Sequence, residues 1–232
     1  IKNAIIGIQL DTVATWQKPQ LTLTNSVVKH MTYAGILAQT SGILAANNLI
    51  YDCGSHALAL SLGGNYEFYH TTLANYWSSR AGHGIRNESS LLLNNFYEDT
   101  AGVFHHYDLE KAYFGNCIIY GNNKAEIEIQ QGEQGVFNYT FDHSLIAAGD
   151  SLPTPPEHFI NCIIDPEEFA FEDPNEPKFN YHLDTLSPAR NAGDPEIVEA
   201  RHGLLQYDLD GNDRTADVAP DIGVFERVKE TE

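Results

Sequence analysis

The sequence predicts an all-β fold, a right-handed parallel β-helix of about eight coils with an irregular C-terminal cap. Three observations predict it: a short apolar phrase built on a polar pivot returns at a near-constant interval, the residues around the pivot alternate as strands do, and the composition changes after the last pivot. The phrases are IKNAII, LTLTNSVV, ILAANNLI, YEFYHTTL, LLLNNFY, AYFGNCII, YTFDHSLI and HFINCII, with pivots at Asn3, Asn25, Asn47, His70, Asn94, Asn116, His143 and Asn161. Successive pivots are 22, 22, 23, 24, 22, 27 and 18 residues apart, a structural period with loops of unequal length.

Two places before the pivot stand Ile1, Leu23, Ala45, Phe68, Leu92, Phe114, Phe141 and Phe159, all apolar. Two and three places after it the residues are apolar again, Thr72 excepted. Period-two alternation with β-branched and aromatic enrichment specifies strands with one buried face. A second short strand follows in most repeats, at GIQL (7–10), GILA (35–38), ALAL (57–60), GIR (84–86), GVF (102–104) and EIEI (126–129). Coils of this kind lay each strand about 4.8 Å above its predecessor. Pivot then stacks on pivot, and the amides of Asn, with neutral imidazoles at His70 and His143, are expected to bond along the axis as a structural ladder. A metal or catalytic row is the functional alternative, and the ladder is preferred. A leucine-rich repeat shares the period and the Asn column, but its L-x-x-L-x-L-x-x-N-x-L pattern and helical return are missing here.

The coils are placed in 1–164 and the terminal strands and cap in 165–232 of the same domain. Because Ile1 falls inside a strand-like phrase, a further coil is expected upstream. Cys53, Cys117 and Cys162 give no disulfide framework. Cys117 and Cys162 share a column two coils apart, about 9.6 Å, beyond disulfide reach. No apolar run reaches the roughly 18 residues of a membrane span. Lys and Arg total 13 against 32 Asp and Glu, and a net charge of −19 repels nucleic acid.

After Asn161 the chain is rich in Pro, Asp and Glu, which suits an end-piece covering the last coil. It contains Ser187, Pro188, Ala189, Asn191, Ala192, Gly193 and Asp194, then Asp208, Gly211 and Arg214, then Pro220, Asp221, Ile222, Gly223, Phe225 and Glu226. This block resembles the terminal motif of bacterial right-handed β-helix proteins of the choice-of-anchor Q type, S-P-A-x-(D/N)-A-G-D followed by D-x-x-G-x-x-R and P-D-I-G-x-(F/Y)-E. The resemblance implies an exported protein, extracellular or at the cell surface, of the kind common in gut and environmental Bacteroidetes; it implies no particular reaction. Arg190-Asn191 departs from the family, which more often has an apolar residue and Asp. Arg214 is expected to pair with Asp208, Asp221 or Glu226 and hold the cap closed.

Two groupings carry candidate chemistry. In DLDGND (208–213), Asp208, Asp210 and Asn212 supply oxygens for calcium, although Ala219 stands where a closing Glu would, and Asx-Gly turns produce the same string without metal. The loops NYWSSRAGHGIR (75–86) and FHHYDLEK (104–111) leave neighbouring phrases, so Tyr76, Trp77, Arg80, His83 and Arg86 are expected near His105, His106, Tyr107, Asp108, Glu110 and Lys111. Tyr76, Trp77 and Tyr107 offer rings for a polysaccharide or oligosaccharide. An acid/base set drawn from His83, His105, His106 and Asp108, with Arg80 or Arg86, would serve a polysaccharide lyase or glycoside hydrolase. The function expected is glycan interaction without proven catalysis, with that enzyme and an adhesive scaffold as alternatives. The acidic exterior makes neutral glycans the easier ligand.

Overall fold

The computed structural model describes residues 1–12, 18–79, 82–167, 169 and 171–227. Parallel strands stack coil on coil in three faces. The first face contains Leu21–Thr24, 43–46, 66–69, 112–115, 139–142 and Phe159–Ile160. The second contains 27–31, Leu49–Cys53, Thr72–Asn75, Ile118–Gly121, Leu145–Ile146 and Ile163–Ile164. The third contains 6–10, 36–39, 58–61, Leu91–Asn94 and Ile127–Gln130.

The core is the interior of the coil. Phe68, Phe114, Phe141 and Phe159 stack there with centroids 5.1, 4.9 and 5.0 Å apart and planes within 17° of parallel. Each buried ring contributes roughly 1.5–3 kcal/mol by transfer from water, and stacking adds about 0.5–1.5 kcal/mol per pair. The three cysteines are free thiols, with burial pushing Cys53 and Cys117 up to about 12 and Cys162 up to about 11.

Asn25, Asn47, His70, Asn116, His143 and Asn161 form one column at the corner between the first and second faces, all left-handed with φ between 42° and 55°. Asn and His tolerate this region better than most residues, which explains the pivot chemistry. Two of the eight phrases belong elsewhere. Lys2 and Ala4 pair with Lys29 and Met31, so Asn3 stacks on His30 and Asp52 at a different left-handed corner. Leu91–Asn94 pairs with 58–60 and Ile127–Gln130, so Asn94 ends a third-face strand and opens no coil of its own. Of the expected second strands, GIR forms no strand and GVF leads into an antiparallel hairpin.

The pivots make only two direct rungs, His70 to Asn116 at 3.0 Å and His143 to Asn161 at 3.2 Å. The inward-facing polar column is one residue later: Asn48 donates to Leu23 O and accepts from Ser26 N, and Ser144 Oγ accepts from Cys117 N. A left-handed corner turns the pivot outward, and a C-terminal segment docks on it there. Asn47 Nδ2 donates to Leu204 O and Tyr207 O, and Asn116 Nδ2 donates to Asp194 O while its Oδ1 accepts from Asp194 N. The described part of 165–227 therefore runs along the flank instead of lying over the last coil, where Ile160 remains 39% exposed. Its hairpin Phe171–Asp173 and Asn180–Leu183 covers the second face through Tyr181 and Leu183. Helix α1 (Pro195–Ala200), capped by Asp194 with Pro195 in its first turn, and α2 (His202–Leu205) bury Ile197, Val198 and Leu205 against Ala46 and Tyr69. Gly223 crosses the corner at φ 99°, where a Cβ would lie 2.5 Å from Ile118 Cδ1, so only glycine fits.

His70 is fully buried between Gly223 O, to which its Nδ1–H donates at 3.1 Å, and Asn116 Nδ2, from which Nε2 accepts. Burial, then the Arg214 charge, hold its pKa well below the usual value. The neutral ring is stabilising above the unfolded value of about 6.5, and that stability is lost at about 1.4 kcal/mol per pH unit below it. His70→Asn keeps a corner-compatible residue and removes the titration. Urea unfolding at pH 6.5 and at pH 5.5 should show the native protein weakened by about 1 kcal/mol more than the variant over that interval; parallel pH profiles would contradict a neutral His70.

Candidate functional site

Between the third and first faces the chain makes an excursion anchored on Asn95, which is fully buried. Its Nδ2 donates to Tyr107 O and Gln134 O, and its Oδ1 accepts from Gly132 N at 2.6 Å. One amide thus clamps both ends of a hairpin, Phe96–Glu98 with Phe104–His106, to the loop of the following coil. Asp99 closes the turn by accepting from Ala101 N and Val103 N, and its other oxygen meets His105 Nε2 at 2.8 Å. The His105 hydrogen bond holds the Asp99 carboxyl below its usual range.

Strand alternation gives the hairpin two aromatic faces. On one, Phe96, Phe104 and His106 combine with Gln131, Gly132 and Glu133 around a cavity of about 310 Å³. Phe104 is 53% exposed. Gly132 is needed here because a Cβ would sit 2.4 Å from His106 Nδ1, a buried atom without a partner among the described residues. On the other face Tyr97 stacks on His105 at 4.8 Å and 14° and lies 6.2 Å from the near-parallel Tyr107.

The other loop residues are not gathered with these. Tyr76, Trp77 and His83 lie between the second and third faces, at the opposite margin of the third face from the hairpin. Tyr76 packs on Phe171 and Tyr181, and burial raises its phenol pKa. Trp77 lies against Gly54 and the His83 ring, 3.8 Å between centroids. Arg86 is buried in an ion pair with Glu126, away from the hairpin, and Asp108 Oδ1 accepts from Val136 N. Arg80 lies outside the described residues. The calcium grouping is a hydrogen-bonded turn: Asp208 accepts from Asp210 N, Asn212 N, Asn212 Nδ2 and Glu226 N, while Asp210 turns to His182. Four N–H donors thus share the two oxygens of Asp208.

A second polar grouping, not anticipated from the sequence, lies on the outer side of the first face. Glu67 accepts from Tyr69 Oη and Arg201 Nη2 and pairs with Lys111 at 3.3 Å. Burial alone would raise its pKa, but the tyrosine hydrogen bond and the two cations outweigh it and hold Glu67 ionised. Tyr113 donates to Asp142 Oδ2 at 2.8 Å, and burial followed by that bond raises its pKa. Tyr69 is raised likewise, by burial and then by Glu67, so both phenols remain protonated donors. Glu67, Tyr69, Tyr113 and Asp142 occupy the positions one and three before the pivots, on the opposite strand face from the phenylalanine ladder. Reading those columns would have found them.

The family model for the right-handed β-helix region matches residues 6–148. The chain belongs to the right-handed β-helix family. No curated protein matched it. In this β-helix protein the aromatic hairpin and the polar first face both fall within the matched stretch, save for Arg201. No helix among the described residues is long and apolar enough to cross a membrane.

Proposed function

We propose that this β-helix protein binds glycans, gripping them with the aromatic hairpin. The cavity bounded by Phe96, Phe104 and His106 carries the reading: it is concave and aromatic, with a few polar groups at its rim. A sugar presents an apolar C–H face to a ring and hydroxyls to Gln131 and Glu133. The net charge of −19 favours neutral glycans over acidic ones. The terminal motif supports export to the cell surface.

The test is titration of neutral oligosaccharides chosen from a glycan array, followed by a product assay. Phe104→Ala removes an exposed ring and should lower affinity roughly tenfold while leaving the melting curve in place. Unchanged affinity would move the site elsewhere, and silence across the array would leave a scaffold. The second reading is a polysaccharide lyase or glycoside hydrolase, favoured by the polar first face. There Glu67 is committed to cations and both tyrosines to donation, leaving Asp142 and His143 to accept a proton. New reducing or unsaturated ends produced by the wild type and lost in His143→Asn would establish it.

A further inference from the structure

At the edge of the first face, Asp142, His143 and Asp194 each bring one ligand atom to within 4.8 Å of the other two. Asp142 and His143 come from one corner of the coil, and Asp194 from the N-cap of α1. Oδ1 of Asp142 is 2.8 Å from the imidazole nitrogen and Oδ2 of Asp194 is 3.7 Å from it. A single ring nitrogen carries at most one proton and can satisfy only one of these oxygens. Among the described residues no donor reaches Asp194 Oδ2.

The remaining polar atom of each residue is already tied. Tyr113 donates to Asp142 Oδ2 at 2.8 Å, Glu196 N donates to Asp194 Oδ1 at 2.9 Å, and His143 Nε2 meets the Asn161 amide at 3.2 Å. The Asp194 backbone is pinned on both sides by Asn116. Ligands oriented by such outside partners are the usual arrangement of a protein metal site.

We infer that Asp142, His143 and Asp194 form an open three-ligand site for a zinc-class divalent cation. Two carboxylate oxygens and one imidazole nitrogen suit zinc, whereas calcium and magnesium prefer oxygen alone. Ligands about 2.0–2.1 Å from a tetrahedral ion stand about 3.3 Å apart, so the 2.8 Å pair opens slightly and the 3.7 Å pair closes slightly. His143 then ligates through Nδ1 with its proton on Nε2, and Asn161 turns its amide to accept it. The two carboxylates neutralise the ion, and the fourth position faces solvent. This site rests on its own geometry and stands whether or not the hairpin binds glycans.

The test is calorimetric titration of the full chain with zinc alone, with calcium as comparator. His143→Asn retains a corner-compatible residue and Asp194→Asn retains an N-cap, so both variants should fold, as checked by circular dichroism. One-to-one zinc binding is expected, stronger than calcium, weakened at least about tenfold by either substitution. Zinc should also raise the melting temperature of the wild type and not of the variants. Absence of saturable zinc binding, binding equal to that of calcium, or binding that survives both substitutions would overturn the site.

Discussion

Arg214→Met is expected to destabilise the protein by about 3–5 kcal/mol, because it leaves buried acceptors without their donor. Arg214 is 2% exposed. Its Nη1 donates to Glu226 Oε1 at 2.6 Å, and its Nη2 donates to Asn47 Oδ1 and Val224 O, both at 3.1 Å. Asn47 belongs to the coils and Glu226 to the terminal segment, so this one guanidinium joins the two. For a chain of this size the loss lowers the melting temperature by roughly 6–20 °C. Arg214→Met with Glu226→Gln removes both charges and keeps an acceptor for Asp221 N, which now donates to Glu226 at 3.0 Å. That double variant should recover about half of the loss. Hydrogen exchange adds a local reading: the Gly223 N–H, bonded to Asn116 O at 2.8 Å, should exchange faster in Arg214→Met while the Phe114 strand stays protected. A melting temperature within about 1 °C of wild type would mean that the terminal segment is held by its apolar contacts alone.

The same residue shows what the sequence could and could not reveal. The motif D-x-x-G-x-x-R with its closing Glu makes a carboxylate partner for Arg214 legible, but not the Asn47 contact, 167 positions away in sequence. Strand alternation is a local property, so the buried Phe68 to Phe159 column was readable to the residue. Corner chemistry is local too, yet it is the same at every corner. Asn3 beside His30, and Asn94 at the end of a third-face strand, carry the same polar-between-apolar signature as Asn47 and Asn116. Distinguishing them requires register, which lies in pairing between coils. The insertion that places Asn116 46 residues after His70 also broke the expected neighbourhood of the two loops. His105, His106 and Tyr107 were recognisable as candidate ligand groups, while Phe96, Phe104 and Tyr97 became partners only through a hairpin that no periodicity announces. The polar first face needed Arg201 and Asp194, brought there by a segment that doubles back along the coils.

Arg86→Leu should cost a further large amount, about 3–5 kcal/mol, and it decides between a catalytic and an architectural arginine. Both side chains of the Arg86 and Glu126 pair are fully buried, 2.6 Å apart. Glu126 also accepts from Ser90 N, Ser90 Oγ and Asn123 N, at 3.0, 2.6 and 2.8 Å, so its carboxylate organises the return of the 77–90 excursion onto the coil. Arg86 Nη2 continues the bracing by donating to Asn75 O at 2.9 Å. Removing the guanidinium leaves an ionised carboxylate among neutral donors in a site closed to water, which is the costly way to break such a pair. Arg86→Lys retains the charge but cannot span Glu126 and the carbonyls of Asn75 and Glu88 in one plane, so it should fall between Leu and wild type. Thermal unfolding of the three proteins ranks them directly. A catalytic Arg86 predicts the opposite pattern, with unchanged melting temperatures and lost turnover on a glycan substrate. The buried geometry places its effect on the fold, and any loss of glycan binding in Arg86→Leu should follow the unfolded fraction as temperature rises.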